Sequence, residues 1–142
     1  MRFPISRVVS SENETTEVAL KFSEGLFGDE IILLNGELGS GKTFFVKAVC
    51  SNYGIINISS PSFAIVNEYH NLKKVIHFDF YRIKKIEELY DLGIEDYLNS
   101  ADSIIFIEWA NLFPEILPKR NYQVDFKILS SSTREITIRK NG

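Results

Sequence analysis

Apolar residues fall along this chain in short blocks whose spacing alternates between the two periods of regular structure. Runs of strand character occupy residues 31–34 (Ile-Ile-Leu-Leu), 63–69, 75–81, 104–107 (Ile-Ile-Phe-Ile), 122–129 and 135–140, with a further short strand at 3–9. The run at 104–107 has no polar alternation, the mark of a strand covered on both faces, and 31–34 reads as buried in the same way. Ser11 and Glu14 make a capping box ahead of a helix whose apolar positions are Val18, Leu20, Phe22 and Leu26. A second helix is predicted over 43–51 and a third over 83–92, with Ile83, Ile86, Leu89 and Tyr90 on one side, followed by a shorter turn at 94–98. Tyr53-Gly54 punctuates a return to extended chain at 55–58, Ser60-Pro61-Ser62 reads as a turn, and residues 71–74 as a hairpin connection. Strands interleaved with helices predict an α/β fold with a mostly parallel central sheet, helices on its flanks and antiparallel strands at its edges. With no repeat, low-complexity segment or linker in view, residues 1–142 are expected to form a single domain.

The segment between the apolar run at 31–34 and the helix at 43–51 gives this pattern its chemistry. Residues 36–43 read Gly-Glu-Leu-Gly-Ser-Gly-Lys-Thr, a complete G-x-x-x-x-G-K-[ST] phosphate-binding loop in strand–loop–helix context, which narrows the expectation to a P-loop NTPase-like three-layer fold. Gly36 and Gly41 let the backbone turn its N–H groups inward, and Glu37, Leu38, Gly39 and Ser40 complete the cradle for phosphate oxygens at a helix N-terminus. In such loops the lysine, here Lys42, reaches the β- and γ-phosphates and the hydroxyl, here Thr43, ligates Mg²⁺.

Two further strands end in acids. After 104–107 comes Glu108-Trp109, and a carboxylate at the end of an apolar strand beside the loop strand holds Mg²⁺ in this class of fold. Trp109 either walls the site or packs. In His77-Phe78-Asp79-Phe80-Tyr81-Arg82, period two sends Val75, His77, Asp79 and Tyr81 to one face and Ile76, Phe78 and Phe80 to the other. Asp79 is placed to orient a water, act as base or ligate a metal through water; equally, it and His77 can belong to a structural hydrogen-bonding network. Arg82 can stabilise phosphate charge or sit in a surface ion pair, and His70 has no companions at zinc-ligand spacing.

Composition mainly excludes. Sixteen basic against nineteen acidic residues give a net charge of −3, so no bulk field draws the chain to DNA, RNA or an anionic membrane. The single cysteine, Cys50, excludes an internal disulfide, suits a reducing cytosol and reads as core packing. No apolar stretch is long enough to span a membrane and the first ten residues lack a signal-peptide core, so a cytoplasmic protein is expected. There is no Asn-Lys-x-Asp or Asp-x-x-Gly of a regulatory GTPase and no arginine-rich lid of a metabolite kinase.

These motifs, in this order, resemble the bacterial TsaE (YjeE) family, the small ATPase of tRNA threonylcarbamoyladenosine (t6A) biosynthesis. The resemblance rests on the 36–43 loop, Ser60-Pro61-Ser62-Phe63, His77-Phe78-Asp79-Phe80-Tyr81-Arg82 and Ile107-Glu108-Trp109. Glu87-Glu88-Leu89, Leu92-Gly93-Ile94 and Asp96-Tyr97 also look like the family's pattern, and together these cover roughly residues 10–118. Ser62, Phe80 and Ala110 stand where the family more often has Thr, Leu and Pro. The resemblance implies ATP and Mg²⁺ as ligands, with Lys42 at the phosphates, Thr43 and Glu108 at the metal and Asp79 assisting catalysis. It places the adenine near Asn13–Thr16 at the first helix and near Thr133-Arg134, with Trp109 also toward the nucleotide. It further implies TsaD- and TsaB-type partners, with tRNA held only through that complex. Two other readings use the same loop: a small-metabolite kinase, and a nucleotide-sensing module whose hydrolysis is incidental.

Overall fold

The structure, a computed structural model, describes residues 1–61 and 64–142, so the Ser62 end of the predicted turn and the Phe63 start of the predicted strand lie outside the described residues. Seven strands form one sheet: β1 (Ile5–Val9), β2 (Ile31–Gly36), β3 (Val66–His70), β4 (Lys74–Asp79), β5 (Ser103–Glu108), β6 (Asn121–Ile128) and β7 (Arg134–Asn141). Their order is β1-β7-β6-β2-β5-β4-β3. The four central strands β6, β2, β5 and β4 run parallel, while β7 and β1 at one edge and β3 at the other pair antiparallel. The late strand pair is therefore not an edge addition as a whole: β6 enters the parallel core beside β2, and only β7 turns back.

Two helix layers cover the sheet. Helices α1 (Glu12–Ser23) and α2 (Lys42–Ser51) lie on one face, where Ala19, Phe22, Phe45 and Val49 pack against Ile32, Leu34, Val75, Ile104, Phe106 and Val124. The short helices α3 (Ile86–Asp91) and α4 (Ile94–Leu98) cover the other, where Leu89 and Ile94 join Leu33, Ile76, Phe78, Ile105 and Ile107. Successive residues of β4 and β5 thus belong to different cores, which is why β5 is buried along its whole length. Phe80 is fully buried and meets Phe78 and Phe113 edge-on at 6.1 and 6.0 Å.

Element ends follow local hydrogen bonds. Ser11 Oγ accepts from Glu14 N at 3.1 Å, while the Glu14 carboxylate reaches Ser10 N rather than the cap's own N–H. In α1 the buried face is Thr15, Ala19, Phe22 and Ser23, so Val18 and Leu20 are flank positions rather than its centre. The helix predicted over 83–92 is shorter, because the Glu88 carboxylate accepts from Lys84 N and Lys85 N and starts the helix only after them. Ile83 stays in the core, Tyr90 is exposed, and residues 55–58 form no strand although Ile55 and Ile58 are buried. Among the described residues no helix is long and apolar enough to cross a membrane.

Candidate functional site

The carboxyl ends of β2, β4 and β5 meet at one level, with Leu34 in register with Glu108 and Glu108 with Asp79. In parallel α/β sheets ligands bind beyond these strand ends. The loop between β2 and α2 is the 36–43 segment. Gly41, the residue before the helix, has φ 110°, which a residue with a Cβ rarely adopts. A Cβ on Gly36 would come within 2.6 Å of Ser40 Oγ and 2.9 Å of Phe126, so the loop closes tightly against β6 only because that position is glycine. Ser40 Oγ is buried and, among the described residues, has no hydrogen-bond partner, which fits a loop built to receive an acceptor-rich group.

Lys42 opens α2 and is almost wholly buried. Its Nζ donates to Gly36 O at 2.6 Å and Glu37 O at 3.0 Å, and stands 4.3 Å from the centre of the Trp109 ring. Burial holds its ammonium below the ordinary lysine value, opposed by the charges of Glu108 and Asp79. One residue on, Thr43 Oγ1 donates to Glu108 at 2.8 and 3.0 Å. Glu108 is 3% exposed, and its Oε2 lies 2.6 Å from His77 Nε2 on β4. A hydroxyl and a carboxylate brought together at a helix N-terminus form a hard-oxygen donor pair of the kind Mg²⁺ selects, so the residues present fit that ion.

Asp79 ends β4, half-buried. Its Oδ1 accepts from Tyr81 N at 2.9 Å, which turns the chain and ends the strand two residues earlier than predicted, and its Oδ2 accepts from Ser60 Oγ at 3.2 Å. Asp79 and His77 share a face but not a hydrogen bond: the imidazole serves Glu108. Tyr81 meets Trp109 at a tilt with ring centres 4.9 Å apart, so Trp109 contacts both a phenol and the Lys42 ammonium. Trp109 is also the one non-glycine among the described residues at positive φ, 59°. Its N–H extends the ladder to Leu34 O at 2.9 Å, and the left-handed turn then drops Ala110 into the core. Lys42, Thr43, Asp79, Glu108, Trp109, Leu38, Gly39 and Gly41 all line one cavity of about 290 Å³, together with Phe44, Ser60 and Tyr81.

A second cavity of about 390 Å³ shares Gly39, Gly41 and Phe44 with the first and continues along the loop past Ser40. Val9, Ser10, Ser11, Glu12 and Thr15 close one side, and Ser131, Ser132 and Arg134 the other. Arg134 donates to Ser130 O and Thr133 O and reaches Gly39 O at 3.4 Å, tying the β6–β7 turn to the loop. Asn13 and Thr16 do not line this cavity; the start of α1 presents Ser11, Glu12 and Thr15 instead. Glu37 gives the site its carbonyl, while its exposed side chain lines neither cavity.

Sequence reasoning left Ser60, Tyr81 and His77 out of the site. Ser60 carried a signal, a serine before proline ahead of the Asp79 strand. The His77–Glu108 and Tyr81–Trp109 contacts join residues far apart in sequence and needed the strand order.

The profile described as "Threonylcarbamoyl adenosine biosynthesis protein TsaE" matches residues 9–136. The tRNA threonylcarbamoyladenosine biosynthesis protein TsaE of Rickettsia typhi is 38% identical over 137 residues, covering 94% of each chain. That of Bacillus subtilis is 34% identical over 138 residues, 96% of this chain and 85% of the relative. The crystal structure of Bacillus subtilis YdiB superposes with a TM-score of 0.80 at 28% identity, covering 100% of this chain and 88% of that one. With the family profile spanning nine-tenths of the sequence and a strand order that puts the loop, Asp79 and Glu108 at one sheet end, the chain belongs to the TsaE family of threonylcarbamoyladenosine biosynthesis.

Proposed function

We propose that this chain binds Mg²⁺·ATP and hydrolyses it slowly, as the ATPase subunit of a t6A-forming complex with TsaD- and TsaB-type partners. The observation that carries this reading is the Thr43–Glu108 pair beside Lys42, with Asp79 in the same cavity. Phosphates lie in the loop, where Lys42 exchanges its two carbonyl acceptors for phosphate oxygens, and Ser40 Oγ gains a partner. Thr43 and Glu108 hold Mg²⁺, whose chemistry is to neutralise charge developing on the phosphoryl oxygens. Asp79, oriented by Tyr81 N and Ser60 Oγ, accepts a proton from, or aligns, the attacking water. The nucleoside end occupies the cavity between α1 and the β6–β7 turn, against Ser11, Thr15 and Arg134. With a net charge of −3 the tRNA is held by the partners.

The test is Mg·ATP hydrolysis by the purified chain, alone and with TsaD- and TsaB-type proteins, for the native sequence and Asp79→Asn. Slow turnover that rises with partners and drops at least tenfold in the variant, with ATP affinity kept, is the expected result. Turnover indifferent to partners rejects the coupling. Full complex activity in Asp79→Asn despite lost hydrolysis reduces the role to nucleotide sensing.

A further inference from the structure

We infer that His77 is a positioning residue for the reaction, holding the Glu108 carboxylate in the one orientation that leaves it turned to Thr43. The inference rests on the reading of Glu108 as a metal-side ligand. His77 is completely buried on the α2-facing side of β4, and Glu108 is nearly so on β5. Registered strands put His77 opposite Phe106 and Asp79 opposite Glu108, so the imidazole reaches diagonally to Glu108 Oε2, at 2.6 Å. Nδ1 is buried and has no hydrogen-bond partner among the described residues. A proton there would be an unpaired buried donor, whereas a lone pair there is the smaller loss. The proton therefore sits on Nε2 and is donated to Glu108.

Glu108 is thus gripped from two elements, by Thr43 on α2 and by His77 on β4. The competing partner is Lys42: its ammonium feels the Glu108 charge, yet no ion pair among the described residues joins the two. Without the Nε2–H bond, no other hydrogen bond from β4 among the described residues keeps the carboxylate from rotating toward Lys42. That rotation would take the carboxylate from the metal, while the Lys42 ammonium, with three donors, keeps others for phosphate. Removing an outer partner of a metal-ligating group of this kind costs about 10–100-fold in metal affinity or activity.

The experiment uses the full chain with His77→Leu, which fills the space without a donor, and His77→Gln, whose amide N–H reaches the Nε2 position. Trp109, the only tryptophan in the chain, lies over Lys42 and reports ATP binding by its fluorescence. ATP affinity is measured in EDTA and across a Mg²⁺ series, alongside hydrolysis and thermal unfolding. For His77→Leu the affinity in EDTA stays within about twofold while the Mg²⁺ concentration for half effect rises about 10–100-fold. His77→Gln recovers the native response to within about threefold. A Mg²⁺ response equal in the native chain and His77→Leu overturns the inference, as does a His77→Gln no better than His77→Leu. If His77→Leu does not fold, His77→Asn replaces it, since its shorter amide cannot reach Glu108; equality of the Asn and Gln variants is then the refuting result. Glu108→Gln separates the two levels. An unchanged Mg²⁺ response there removes the metal role itself, whereas a shifted response with unaffected His77 variants removes only the positioning.

Discussion

Replacing Trp109 by glycine and by alanine should reverse the usual order of those two residues. Trp109 stands at φ 59°, ψ 34°, the left-handed region, where a Cβ crowds the following carbonyl at a cost of about 1–2 kcal/mol. The native residue offsets that with its ring: a cation 4.3 Å from its centre and a tilted aromatic pair at 4.9 Å, each of about 0.5–1.5 kcal/mol. Alanine loses the ring and keeps the Cβ penalty. Glycine loses the ring and the penalty, but gives the unfolded chain about 0.4–1 kcal/mol more freedom. The difference leaves glycine more stable than alanine by about 0.5–1 kcal/mol, or about 2–4 °C in melting temperature for a domain of this size. Both variants should melt below the native chain. Circular dichroism melts at matched pH and scan rate measure all three. An alanine variant that melts at or above the glycine variant would refute the argument, because it would mean that Trp109 is not held in the left-handed turn.

Four further outcomes follow from other positions. Gly36→Ala drives a Cβ to 2.6 Å from Ser40 Oγ and 2.9 Å from Phe126, and should cost about 1–3 kcal/mol and all nucleotide binding, by melting and fluorescence titration. Gly93→Ala, with nothing within 4 Å of its added Cβ, should cost only the left-handed penalty of about 1–2 kcal/mol and leave binding intact. Burial pushes the Cys50 thiol from its ordinary 9.0 up to about 12, so iodoacetamide at pH 8 should modify it only on unfolding. The sign for stability is that of a raised acid: its contribution is whole below pH 9 and is lost as pH climbs toward 12, visible as a falling melting temperature. Lys42 has the opposite sign. Its lowered value means that the buried ammonium opposes folding at neutral pH, so Lys42→Met should melt at or above the native chain while binding no ATP.

The parts of this fold that sequence revealed are those whose cause is local. The 36–43 loop declares itself because its glycines, lysine and threonine must sit at fixed offsets between one strand and one helix. The strand ending in Glu108 was legible because burial on both faces demands an unbroken apolar run. What stayed hidden depends on which strands become neighbours. Nothing in the β6 pattern distinguishes a strand parallel to β2 from an edge hairpin, since both alternate Val124 and Phe126 inward with Gln123 and Asp125 outward. His77 reads equally as a partner for Asp79, two residues away on the same face, or for a group on another strand. Only the β4–β5 register resolves that choice in favour of Glu108. The start of α1 is a related case: Ser11, Glu12 and Thr15, and not Asn13 and Thr16, line the cavity beside the loop. The cap Ser11 is in sequence a local device, but the same hydroxyl lines the cavity because α1 starts beside the loop.

The charge around the loop explains why a carboxylate needs such firm placement. The charged side chains lining the cavity are Lys42, Asp79 and Glu108, a net of one negative charge before any phosphate enters. Two like charges 4 Å apart cost about 4 kcal/mol at an effective dielectric of 20, and a nucleotide's terminal phosphates bring several. Lys42 supplies one positive charge against those several. On the proposed reading, a divalent cation held by Thr43 and Glu108 would reverse the sign of that interaction, so that the acid that would repel a bare nucleotide would help to retain the charged pair. That reversal works only if the carboxylate is turned outward to the ion and not inward to Lys42. His77, with its ring sealed in the core and its Nε2–H committed to Glu108, supplies the restraint from β4, the strand beside β5.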